Sequence, residues 1–172
     1  MFNLKILNTM PIHFVWVFGF LAFASACLKK EQYSQIPEIQ QVYVLRDVEN
    51  NKDYIYVDFT DGDGDFGLND SDKNPPFDEG GAFYYNLFLH YQVYEENAWI
   101  DLEDLPGNVL KNPFHIRVPR LDNNPTKATI RAEFPFAFYY KPYPNMRFRV
   151  YLYDRALNKS NEVISAEIKI PQ

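Results

Sequence analysis

Asp61-Gly62-Asp63-Gly64-Asp65 sets three carboxylates at intervals of two residues, with glycine between them. Glycine lets a backbone coil tightly enough for alternate side chains to converge on one point. The first acidic ligands of a twelve-residue calcium loop have this spacing, because hard calcium gathers six to eight oxygens. Counted from Asp61, the ninth position is Asn69 and the twelfth is Asp72, both oxygen donors. Phe66 stands where such a loop demands glycine, and the twelfth residue is not glutamate, so this is no EF-hand. The residues support a calcium site of another build. Two other readings compete with it. Arg155 and Lys159 could neutralise the aspartates as surface ion pairs, each worth about 0–1 kcal/mol. Asp-Gly dipeptides could also simply mark hairpin turns.

Paired carboxylates also act as general acid and base in glycoside hydrolysis. A lipid-anchored hydrolase using Asp61, Asp63 and Asp65 is therefore the alternative function. That chemistry needs two carboxyls held apart in a cleft, whereas these crowd one loop. His90 and His115 fall on polar strand positions at a spacing that suggests no zinc site. The chain has no Gly-Lys-Ser/Thr phosphate loop and no Gly-x-Ser-x-Gly elbow. The expectation is a non-catalytic protein.

Cys27 is the only cysteine, so it cannot close an internal disulfide. Before it runs the apolar stretch 14–26, shorter than the roughly 20 residues of a membrane span and ending in the small residues Ala24, Ser25 and Ala26. In this setting "LAFASAC" resembles the lipidation site of a bacterial lipoprotein. The resemblance implies a signal peptide over 1–26, acyl chains on Cys27 that hold the protein to a membrane, and a place in the cell envelope, on the outer membrane. Residues 28–41 are polar and aperiodic, so 27–40 read as a flexible tether before a domain over 41–172. A formal charge of −6 argues against nucleic acid as a partner, since phosphate binding needs clustered cations.

From Gln41 onward, apolar and polar residues alternate in short runs separated by turn residues. The runs are 41–47, 53–60, 82–101 with a turn near Glu95–Asn97, 114–121, 127–136, 146–154 and 162–171. No run carries a helical stripe. Seven or eight such strands predict an all-β chain folded as a single antiparallel sandwich. Its inward series would include Phe59, Leu87, Leu89, Ile130, Phe134, Phe148, Val150, Leu152 and Ile168.

"YVDFTDGDGDFG" and the later "VYLYDRALNKSN" resemble the second and sixth strands, with their following loops, of bacterial immunoglobulin-like domains. Asp154, Ala156 and Asn158 match the Asp-x-Ala-x-Asn that often ends the sixth strand there. The arrangement is also similar to lipoproteins of Bacteroidota. The likeness implies an immunoglobulin-like sandwich and an envelope location. Loops after the second and sixth strands share one end of such a sandwich. Asp154, Asn158 and Asn161 would then meet the aspartate loop and add oxygens to a calcium site.

One sheet face is expected to meet a partner. Tyr84, Phe88, His90 and Tyr94 would point outward from one strand region, and Arg147, Arg149, Tyr151 and Tyr153 from its neighbour. Aromatic and arginine side chains are enriched at interfaces and stack on sugars or pair with anions. The expected partner is a protein or glycan of the envelope. The competing reading is that cross-strand aromatic and Arg pairs only stabilise an exposed sheet.

Overall fold

The computed structural model describes residues 31–169, apart from 48, 51, 108–113, 124 and 136–142 and the side chains of 134 and 135. The signal segment, Cys27 and the Phe134 side chain lie outside the described residues. Among the described residues eight strands form: β1 Glu38–Asp47, β2 Lys52–Thr60, β3 Leu87–Glu95, β4 Ala98–Asp101, β5 Lys127–Pro135, β6 Asn145–Leu152, β7 Val163–Ile164 and β8 Ile168–Lys169. Among the described residues, the helical structure is a single 3-10 turn, Leu102–Asp104. No helix there is long and apolar enough to cross a membrane.

The strands arise from strict alternation. In β6, Met146, Phe148, Val150 and Leu152 are wholly buried while Arg147, Arg149 and Tyr151 face the other way. In β2, Ile55, Val57 and Phe59 do the same. A period of two puts every second side chain on one face, so each strand presents one apolar edge to the core. β1, β2 and β5 make one antiparallel sheet; β4, β3, β6 and β7 make the other, with β8 also paired to β6. The two sheets form an antiparallel β-sandwich, with the first, second and fifth strands on one side and the remainder on the other. Its core joins both sheets, from Ile55, Val57 and Phe59 to Leu87, Leu89, Phe148 and Val150. Of the inward series named above, Ile130 is buried with these and Ile168 is partly buried against them.

Four segments depart from the sequence expectation. β3 begins at Leu87, so residues 82–86 of the expected strand are loop. β1 begins at Glu38, so the end of the stretch read as tether belongs to the sheet. Residues 114–121 form only isolated bridges, Ile116 with Leu87 and Pro119 with Leu68. There the Asn86 side chain substitutes for a strand, accepting from the Val118 N–H at 2.6 Å and donating to its carbonyl at 3.2 Å. The C-terminal run divides into β7 and β8 because the Ser165 hydroxyl takes the Phe148 N–H at 2.9 Å and interrupts the ladder.

Candidate functional site

The aspartate loop is strung between two core anchors. Phe59 is the last large apolar residue of β2, and Phe66 returns to the core to meet it, ring centroids 4.7 Å apart. Six intervening residues must turn within that short span. Gly62 permits it: its N–H bonds the Ser34 carbonyl at 2.6 Å, and a Cβ there would lie 2.3 Å from the Tyr33 carbonyl oxygen. Gly64 adopts a left-handed φ of 66°, a conformation that costs glycine little. The result is convergence. One carboxylate oxygen from each of Asp61, Asp63 and Asp65 lies within 4.8 Å of the others.

Asp61 has 0 % exposure. Its Oδ2 accepts the Phe66 N–H at 2.9 Å, while Oδ1 is buried with no hydrogen-bond partner. Burial, opposed by the Phe66 N–H and reinforced by the neighbouring Asp63 carboxylate, pushes its pKa up to about 7. Asp65 is also raised, first by burial and then by the charges of Asp154 and Asp63; its Oδ1 too is buried and unpartnered. Unbonded anionic oxygens in a dry site are costly unless a cation or proton meets them. Either would satisfy the buried oxygens of Asp61 and Asp65.

The loop after β6 does reach this end of the molecule. Asp154 raises Asp65, and the backbone amides of Arg155 and Ala156 lie against the Asp65 carboxylate. The wider ligand set differs from the one expected. Asp72 pairs with Arg155 and accepts the Asn69 N–H at 2.7 Å, which holds its carboxyl below the usual range. The Arg155 guanidinium thus pairs with the outlying Asp72, while its backbone amide faces Asp65. Asn69 and Asp72 close their own small turn. The Asp154 carboxylate, 1 % exposed, accepts from both the backbone N–H and the side-chain amide of Asn158, at 2.7 and 2.8 Å. Asn158 thereby caps Asp154 as a donor. Asn161 instead brackets β1, exchanging two bonds with the Ile39 backbone at 2.7 and 3.0 Å. Lys159 pairs with Glu162 at 2.6 Å.

The outer face of the five-stranded sheet gathers the aromatic and arginine residues named above. β3 and β6 pair so that Phe88 opposes Tyr151, His90 opposes Arg149 and Gln92 opposes Arg147. Phe88 and Tyr151 stack at 4.9 Å, and Tyr153 meets both edge-on. Tyr94 packs on Trp99, over which Arg147 lies at 4.3 Å. Tyr84 joins from the preceding loop, with the Arg117 guanidinium 5.0 Å from its ring centre. Tyr84, Tyr85, Phe88, His90, His115 and Tyr151 line a cavity of about 580 Å³ whose wall includes Glu79 and Glu103.

His115, weighed above only as a polar strand residue, joins this face, and Asp101, Glu103 and Trp99, which were not singled out by sequence reasoning, complete it. Two of them could have been found. The hairpin between β3 and β4 turns on Glu96 and Asn97, both left-handed, which sets Gln92 opposite Asp101. The ladder ends there, and the 3-10 turn that follows carries Glu103 to His90, where their side chains meet at 2.7 Å. Comparison of the chain with protein-family models, with curated proteins and with solved structures finds no match.

Proposed function

We propose that this chain is a lipid-anchored protein of the bacterial cell envelope, held to the outer membrane through Cys27, that works by binding and not by catalysis. A calcium ion at Asp61, Asp63 and Asp65 ties the loop after β2 to the fold, and the outer sheet face meets a protein or glycan of the envelope. The observation that carries the calcium reading is Asp61 Oδ1, an unpartnered carboxylate oxygen of a fully buried side chain, set among the oxygens of Asp63 and Asp65. Oxygen donors alone suit a hard ion such as calcium. Flat rings and guanidinium groups on one open sheet face support the partner reading.

The test is a thermal melt of the full chain in detergent, with excess calcium and then with chelator. At calcium a hundredfold above its dissociation constant, the midpoint should rise by about 5–10 °C. An unchanged midpoint overturns the calcium assignment. Replacing Asp63 and Asp65 together by asparagine should remove the rise. A hydrolase using the same acids would instead lose turnover in that variant without any change in melting.

A further inference from the structure

A second cluster of donors lies on the outer sheet face, and it differs in kind from the aspartate loop. His90 Nδ1 is 2.7 Å from Glu103 Oε1 and 3.7 Å from Asp101 Oδ2. The three donor atoms all lie within 4.8 Å of one another. Their side chains are only 10 %, 23 % and 12 % exposed. We propose that His90, Asp101 and Glu103 form a site for a borderline divalent transition ion of the zinc class, open on its fourth side to the cavity lined by Tyr84, Tyr85, Phe88 and His115.

Geometry is the first support. A tetrahedral ion with ligands at about 2.0–2.1 Å holds its donors about 3.3 Å apart, and the two observed separations bracket that value. Ligand type is the second: an imidazole nitrogen with two carboxylates selects zinc-class ions over calcium or magnesium. Metal-binding imidazoles need a partner on the other ring nitrogen, and ligating carboxylates are themselves hydrogen-bonded. Both conditions hold for His90 and Asp101. His90 Nε2 is 3.3 Å from the Tyr151 hydroxyl. Asp101 Oδ1 accepts from Gln92 at 2.8 Å, and Arg149 bonds its other oxygen. Arg149 offsets one carboxylate, which leaves one net negative charge to attract the ion.

His115 supplies an independent pointer. Its ring centroid is 5.0 Å from that of His90, and its Nδ1 is buried without a hydrogen-bond partner. A water or ligand oxygen held by the ion would offer it a donor. Three protein ligands with an open fourth position are the arrangement of zinc sites that exchange ligands. The cavity would therefore admit a small oxygen or nitrogen ligand to the ion.

The full chain in detergent, with excess calcium present, would be titrated with cobalt(II) chloride and read by visible absorption. One ion per chain with intense four-coordinate bands, displaced by zinc, is the expected result. His90→Gln and Glu103→Gln should each weaken binding by at least about tenfold, and Tyr151→Phe by about tenfold through His90 alone. Asp61→Asn should leave the cobalt bands in place, which separates this site from the calcium reading. Absent bands, or bands that survive Glu103→Gln in a variant whose melt is unchanged, overturn the proposal and leave the cluster as an ion-pair network centred on Arg149.

Discussion

Asp61 concentrates the tension of the molecule in one carboxyl. Its ordinary value of 3.8 rises to about 7 on folding, chiefly through burial. Between those values the folded chain keeps a proton that the unfolded chain has released. Stability from this group is thus complete below about pH 4 and is lost as pH rises through 7, a swing of up to about 4 kcal/mol. His115 acts in the opposite sense. Burial lowers it from 6.5 to about 4, so its share is present above 6.5 and lost as pH falls through 4. Because the two overlap between about pH 4 and 6.5, the wild-type melt alone is uninformative there. The difference between Asp61→Asn and wild type isolates the aspartate. In chelator, the variant's midpoint should gain on wild type from pH 5 to pH 8, by several degrees in total. In calcium at pH 8 the order should reverse, since the cation neutralises a carboxylate that the variant lacks. A difference that stays flat with pH would refute the burial of an ionisable Asp61.

The loop and hairpin elements explain why some of the chemistry was legible in the sequence and some was not. Alternating Asp and Gly announced a tight acidic turn, and convergence of the first three carboxylates followed from local spacing. The fate of Asp72 did not, because Arg155, its partner, is 83 residues away. Gly62 shows what the turn demands of its backbone: Gly62→Ala would drive a methyl group into the Tyr33 and Ser34 carbonyls. We expect a loss of about 1–3 kcal/mol in denaturant unfolding together with a weakened calcium response. Asn161 illustrates the reverse case, an expected ligand that serves as a clamp. Asn161→Ala removes both bonds to the Ile39 backbone, so it should cost about 1–3 kcal/mol and speed amide exchange along β1 without altering the calcium-induced rise in melting. If that rise shrinks, Asn161 belongs to the cation site after all.

At the scale of the whole molecule, stability rests on the apolar layer between the sheets, and polar sites are mounted on its rims. Phe148 has no exposed surface and touches the rings of Tyr91, on the neighbouring β3, and Phe114, from the segment between β4 and β5. Phe148→Ala should cost about 3–5 kcal/mol, a large share of the roughly 5–15 kcal/mol that domains possess. Denaturant midpoints would measure it; a loss below 1 kcal/mol would mean the two sheets are not packed through this ring. Alternation over β2, β3 and β6 is a local property, so strand identity, inward faces and the position of the acidic turn could be read along the chain. Ile116 and Val118 alternate equally well, yet a side-chain amide took the place of a strand partner there, and no local pattern announces such a substitution. The sequence by itself determined an all-β chain, its apolar series and its outward aromatic and arginine rows. Only the tertiary structure decided that Asp72 pairs with Arg155 and does not join the aspartate loop's carboxylates, and that His90 lies beside His115. Those meetings depend on register between segments far apart in sequence. Register is chosen by the packing of the whole core, and no single stretch of residues carries that information.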